Sequence, residues 1–551
     1  MMTDQPEEQS SPENGVTRLQ RALMHSGTLR AAGFSLAAVA TAAILRLSNP
    51  TVTDPDSFYH FRQAALYAQK GLFMSSFPWL VYSIISRFSS DIGYGFHLLL
   101  IPFTFLRDPV LGIKLAAVFE TAVVMVLFYC VMRRHSIAYA SAWPFMLIFL
   151  SPPIVYTVLQ TRPQTLTMGL SALLLSFLLT GSPLGVFLSS FAISFVHLNV
   201  VVIVPVIVAI AGLVKGLIAR RWEWRTWLLA LLGVCAGWLL RPNPVGSARL
   251  EYVQTLMHEV VRQKQVPLLF GREWSPVSPS ALGSFTYFIL IWVALMAIFL
   301  IVTALRRAHL KPGDRAFLWS SFLLALVFFV ATVAVTKRTT PLWATFAVMF
   351  VARAFTCFLD PLDRREAQPL KQDARLIIAF VVAGVFAAMV WDGVNQHVVQ
   401  KRWLSIDPYR LRAPADWLRT HARPGDIVFN VNWDVFPELF FWDSDQRYVS
   451  GLDPIFLFAY DESLYWKTHH LQTGDATAYT WGTMAAGTAD RQDTYTVLRR
   501  DFEASYLVLD KHRNAGLYQH LLTDPRVAVG FEDGGTAVFS LTQTDRRSAH
   551  G

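Results

Sequence analysis

The chain has 551 residues, 53% of them hydrophobic and 16% charged, with a mean hydropathy of +0.38. A water-soluble globule of that composition would leave apolar surface without polar cover, so the totals exclude one and require a polytopic α-helical membrane protein. The formal charge of +9 does not call for nucleic acid, because Lys and Arg gather in short loops between apolar runs, where they set orientation.

Residues 1–30 are polar, acidic in their first half and basic near the first apolar run (Arg18, Arg21, Arg30), and read as a cytosolic tail. At roughly twenty apolar residues per crossing, about 11 runs between 31 and 391 qualify as spans. The first, 31–47, delivers the chain to the exoplasmic side. The basic turn Arg133-Arg134-His135 marks the return to the cytosol, so 110–132 is the crossing between them and 50–109 is one exoplasmic loop. Two membrane-lying helices are expected in that loop, 57–70 and 95–106, the first with Phe58, Phe61, Ala65 and Leu66 at helical spacing. Runs 137–150 and 166–179 flank a second exoplasmic turn, and two further runs divide near His197. Arg220-Arg221, Arg306-Arg307 and the loop 360–375 are cytosolic by charge, and 241–284 is a long exoplasmic loop. Lys337-Arg338 breaks the sign rule, since the same count puts it outside. After a last span, 376–391, residues 392–551 turn to mixed polar sequence with Pro and Gly punctuation, long enough for a small exoplasmic α/β domain. Its expected parts are a helix over 413–421, strands at 427–431, 447–450 and 506–510, and a hairpin of 527–531 with 537–541 around Glu532-Asp533-Gly534-Gly535.

Shortly after the first span the chain reads Asp54-Pro55-Asp56-Ser57-Phe58-Tyr59-His60-Phe61-Arg62. Ionisable groups at membrane depth are expensive to desolvate and mark substrate, ion or phosphate sites. Asp54, Pro55 and Asp56 also suit a helix start, but capping does not account for His60, one turn after Asp56 on the same face. Asp56 is therefore expected either to bind a divalent ion or to accept a proton, with Arg62 near an anionic group. Lys337-Arg338 is expected to grip a phosphate, the guanidinium bidentately; the ordinary alternative is an interfacial snorkelling pair. Arg162 puts a fixed charge at the mouth of the second exoplasmic turn, where Pro163 keeps it out of the helix. Glu120 lies mid-span with Lys114 and needs a buried partner, while His469-His470 reads as surface. Trp433-Asp434 follows a strand directly, on the kind of turn that binds ligands. The alternatives are that Trp433 packs inward, or that Trp433, Phe440, Phe441 and Trp442 dock the domain on the membrane face.

Asp56-x-x-Tyr59-His60-x-Arg62 in the first exoplasmic loop resembles the signature of oligosaccharyltransferase catalytic subunits, within the C-type (GT-C) glycosyltransferase superfamily. The order of amphipathic loop helices, a basic residue opening a late span, and Asn432-Trp433-Asp434 where that family has a Trp-Trp-Asp motif is similar too. Ser57 stands where the family has proline, Thr161-Arg162-Pro163-Gln164 where it has paired acids, and Val435-Phe436-Pro437 where it has Tyr-Gly. The resemblance implies a GT-C membrane domain over 31–391 and an inverting transfer of a sugar or oligosaccharide from a polyprenyl-phosphate or polyprenyl-diphosphate donor to a protein, lipid or glycan acceptor. Asp56, with His60, would be catalytic, or Asp56 with Asp54 would hold Mg²⁺ or Mn²⁺. Arg338, Lys337, Arg62 and Arg162 would meet the donor phosphate, and Trp433 and Asp434 would lie on the acceptor side. The expected setting is a bacterial inner membrane with the C-terminal domain in the periplasm. The alternative is a transporter or non-catalytic binder of lipid-linked glycans.

Overall fold

The computed structural model describes residues 27–74, 76–220, 222–283, 289, 292, 310–359, 372–396, 406–485 and 490–541. In hydrocarbon a helix satisfies its own backbone, so the long apolar runs fold as helices: α1 (Gly27–Leu47), α4 (Pro109–Arg134), α5 (Pro163–Thr180), α7 (Ile203–Ala219), α9 (Pro312–Ala334) and α10 (Thr340–Leu359). Between them lie α2 (Asp56–Lys70) and α3 (Tyr94–Leu100) in the first loop, then α6 (Pro183–Val196) and α8 (Trp224–Leu239). The helix α11 (Gln372–Val394) leads to the C-terminal domain.

The chain is an integral membrane protein. Among the described residues, six helices are long and apolar enough to cross a membrane, or seven if α8 and Pro244–Gln263, bent by 107°, form one broken span. That is fewer than the eleven or so runs read from composition. The run 137–150 shows one reason. Ser136 and Tyr139 take positive φ, only Trp143–Ile148 is helical, and a new helix starts at Pro152, so the segment is buried and broken rather than spanning. All but 289 and 292 of the crossing expected between 284 and 306, the turn at 306–307 and residues 360–371 of the loop 360–375, both expected in the cytosol, and residues 1–26 lie outside the described residues.

α4 is the spine of the membrane domain, with α1 and α5 packed along it, while α6 pairs with α8 and α9 with α10. α2 crosses over α4 at Gly112. A Cβ there would come within 2.5 Å of the Phe61 ring and 2.7 Å of the Phe103 carbonyl, so only glycine lets the loop helix lie this close.

The C-terminal domain carries α12 (Arg412–His421), α13 (Phe436–Trp442) and strands β1 (Ile427–Asn430), β2 (Arg447–Tyr448), β3 (Tyr479–Thr480), β4 (Gln492–Asp493), β5 (Tyr506–Asp510), β6 (Ala528–Glu532) and β7 (Thr536–Ser540). Five strands form one sheet in the order β2-β1-β5-β7-β6, the first three parallel and the last two antiparallel. β1 and most of β5 are buried, as parallel strands covered on both faces are. Asp533 closes the β6–β7 turn by accepting from the Gly535 and Thr536 N–H groups at 2.8 and 2.7 Å.

The domain is joined to the first loop at several points. Val52 and Ile406 exchange backbone hydrogen bonds of 3.0 and 2.9 Å, and Trp79 and Val81 pair with Tyr448 at the edge of β2. α13 lies on α2, with the Phe441 ring 5.1 Å from Phe58 and 6.1 Å from Phe61 between centroids. The aromatic stretch read as a membrane-docking surface is thus occupied in part by the loop helix.

Candidate active site

α2 begins without a side-chain cap, because the carboxylate expected to cap it is engaged elsewhere. Asp54 Oδ2 and Oδ1 accept from Arg162 Nε and Nη2 at 2.6 and 2.7 Å, and Asp56 Oδ2 accepts from the same Nη2 at 2.5 Å. Arg162 is presented by an extended backbone just before Pro163, which starts α5. The turn is anchored from α2: the Thr161 N–H donates to the Ser57 hydroxyl at 3.2 Å, and the Thr161 hydroxyl donates to the Ile113 carbonyl at 2.9 Å. Ser57 therefore ties the first loop to the turn before α5.

Glu273 joins Arg162 to Arg338. Its Oε1 accepts from Arg338 Nη2 at 3.1 Å and lies 3.8 Å from Arg162 Nη1. The Arg338 guanidinium also lies over the Trp274 ring, 3.6 Å from its centroid, a cation–π contact that fixes its plane. Three carboxylates thus share two guanidiniums. Burial raises Asp54 to about 7 against the pull of Arg162, with Asp56 adding repulsion, and burial raises Asp56 as well. Burial also works against Glu273, yet Arg338 and Arg162 hold it down at about 2. Burial thus opposes ionisation of Asp54 and Asp56, while Glu273 is anionic near neutral pH.

Two cavities meet here, and Arg162 and Arg338 line both. The larger, about 320 Å³, is bounded by Asp54, Tyr156, Glu273 and Lys337; the smaller, about 90 Å³, by Asp56, Tyr59, His60 and His97. In the smaller, His60 Nδ1 lies 2.7 Å from His97 Nε2, and His97 Nδ1 lies 2.6 Å from Asp91 Oδ2. Burial and the adjacent His97 hold His60 well below the usual histidine range. Burial opposes ionisation of Asp91, but His97 and the hydroxyl of Tyr67 keep it below its ordinary value.

Of the residues singled out in the sequence, Asp54, Asp56, His60, Arg162, Lys337 and Arg338 come together. Arg62 does not: its guanidinium donates to the Ser444 hydroxyl, between α2 and the C-terminal domain, and faces Asp443 and Asp445. Its placement gives no support to a phosphate contact. Trp433 and Asp434 line neither cavity, and Asp434 pairs with Arg513 at 2.9 Å. Lys114 donates to the carbonyls of Asn49 and Pro50 and leaves Glu120 buried without it. His470 is buried, not surface. Glu273, Trp274, Asp91 and His97 escaped sequence reasoning; a histidine inside an apolar run, six residues after an aspartate, was the one available signal.

A divalent ion does not fit Asp54 and Asp56 as they stand. Three of their four oxygens accept from Arg162, and an ion among them would face a fixed like charge.

No family model and no curated protein matches the chain by sequence. Among solved structures, ArnT from Cupriavidus metallidurans bound to undecaprenyl phosphate matches with a TM-score of 0.54 at 13% identity, over 93% of this chain and 98% of that one. ArnT in the apo state matches with 0.52 at the same identity and coverage. The chain shares its fold with ArnT. The likeness does not single out an oligosaccharyltransferase. Arabinofuranosyltransferase AftD from Mycobacteria matches with a TM-score of 0.49 at 16% identity, and this chain spans 40% of its length.

Proposed function

We propose that the chain is a membrane glycosyltransferase that moves a sugar from a polyprenyl-phosphate or polyprenyl-diphosphate carrier to an exoplasmic acceptor, with inversion at the anomeric carbon. The observation that carries this reading is the convergence of Arg162 and Arg338, with Lys337, on two adjoining cavities at the edge of the membrane domain. ArnT, which shares the fold, has been solved with undecaprenyl phosphate bound.

The carrier phosphate would enter the larger cavity and take the place of Glu273 between the guanidiniums. There Arg338, held flat on Trp274, and Lys337 stabilise the leaving anion in a poorly hydrated cleft. Asp54 and Asp56 orient Arg162 toward that phosphate, and Asp56 and His60 face the sugar and acceptor in the smaller cavity. With Arg162 supplying the cation, transfer needs no divalent ion. The C-terminal domain, set against α2, walls the acceptor side; we place it in the periplasm of a bacterial inner membrane. Cys130, Cys235 and Cys357 all lie outside that domain, in keeping with such a setting.

The test is product formation by purified protein given a polyprenyl-phosphate sugar and candidate acceptors, with and without chelator. Transfer that survives chelator and falls at least about 10²-fold in Asp56→Ala and Arg338→Ala, with folding intact, supports the reading. Donor binding without product would favour the non-catalytic carrier protein instead.

A further inference from the structure

The smaller cavity holds a chain of side chains that phosphate binding does not use. Asp91 is fixed on all sides: its Oδ2 accepts from the Tyr67 hydroxyl at 2.8 Å, its Oδ1 from the Gly93 N–H at 2.8 Å, and its carbonyl from Arg241 Nη1 at 2.8 Å. Arg241 also donates to the carbonyls of Ser194 and Phe195, which locks this loop against α6. The His97 ring is fully buried behind His60, and a Cβ on Gly93 would sit 3.1 Å from it, so the turn is shaped to admit an imidazole.

The hydrogen-bond roles run in one direction. A carboxylate only accepts, so His97 Nδ1 carries its proton toward Asp91. In the neutral ring His97 Nε2 is then a lone pair and accepts, so His60 Nδ1 donates to it. The His60 Nε2 lone pair is left bare, makes no hydrogen bond to the described residues, and belongs to a ring that lines the cavity. Asp56, the other candidate base, already accepts from Arg162 through its Oδ2.

We infer that Asp91, His97 and His60 form a proton relay in which His60 Nε2 takes the acceptor's proton, while Asp91 and His97 are positioning residues that set its tautomer. This rests on the glycosyl-transfer reading for the source of the proton, but not for the tautomer. In the transfer step the acceptor O–H bond breaks and its proton goes to His60 Nε2. The oxygen's electron pair bonds to the anomeric carbon, and the bond from that carbon to the phosphate oxygen breaks, its pair leaving on the carrier phosphate. The positive charge gained by His60 is stabilised by the Asp91 carboxylate through His97. The proton then leaves to water and the relay resets. A lone buried imidazole would resist charging; the carboxylate at the far end offsets that cost.

The relay is tested by ¹⁵N NMR of histidine-labelled full-length protein in detergent, with the His60 signals assigned through His60→Gln, alongside single-turnover and steady-state transfer rates. The wild type is expected to show His60 protonated at Nδ1 and bare at Nε2. In Asp91→Asn the amide donates to His97, every tautomer along the chain inverts, and His60 Nε2 gains a proton; kcat should fall at least about 10²-fold at unchanged donor KM. Tyr67→Phe, which keeps the carboxylate, should stay within about tenfold of wild type. If His60 carries its proton on Nε2 in the wild type, or if Asp91→Asn changes neither tautomer nor kcat, the relay is overturned. If the spectra are as expected and no polyprenyl-linked sugar is transferred, the tautomer assignment stands and the glycosyl-transfer reading falls.

Discussion

Arg162 binds three oxygens of two acids that are both largely withdrawn from water, so its removal strands buried charge. Arg162→Leu is expected to destabilise the protein by about 3–5 kcal/mol, measured as a shift of detergent unfolding midpoint. Arg162→Lys keeps the charge but loses the fork that reaches both acids; it should fold and transfer at least about tenfold more slowly. Glu273 bridges the two guanidiniums where the donor phosphate is proposed to bind. Glu273→Gln should therefore lower the donor KM, by about tenfold, because phosphate no longer competes with a carboxylate; a raised KM would show that Glu273 assists donor binding. At this scale the sequence was legible where charge stood out of place. Asp56 follows a span and Arg338 violates the charge rule, so both could be named from the chain alone. Glu273 and Trp274 sit in an irregular stretch with no periodicity, and His97 lies within an apolar run, so only the folded chain brings them to the site.

Among the elements, α13 and α2 form the joint between domain and loop. Phe441→Ala removes a buried ring from between Phe58 and Phe61 and should cost about 3–5 kcal/mol, with loss of transfer as α2 shifts. Asp453 gives a pH test at another joint. It starts the short helix Pro454–Phe458 by accepting from the Ile455 N–H at 3.1 Å, and burial raises it to about 7. Between the unfolded value near 4 and that folded value, the native state binds a proton the unfolded state lacks. Stability therefore falls as pH rises through that window and levels off above it. Asp453→Asn, which can cap equally well, should flatten the fall by on the order of 2 kcal/mol between pH 4.5 and 8 in denaturant unfolding; an unchanged slope would contradict it. The strands β1, β5, β6 and β7 lie within a residue or so of their sequence-based bounds, because hydrophobic runs there end at Gly, Asn or Asp. The run 137–150 looked like a span because composition is blind to the backbone turns at Ser136 and Tyr139.

For the molecule as a whole, the membrane domain brings a cation from the start of α10 to acids at the start of α2, and the C-terminal domain, packed on the first loop, walls the smaller cavity with Leu452 and Phe456. No stretch of sequence contains the site; it exists because α4, α5 and α10 hold three distant loops at one level. The central claim is that Arg338 and Arg162 receive a polyprenyl phosphate there. The direct measurement is binding of undecaprenyl phosphate to purified full-length protein, wild type against Arg338→Ala, at low and high salt. The account predicts saturable binding that weakens at least about tenfold in the variant; equal affinity in the two proteins would contradict it.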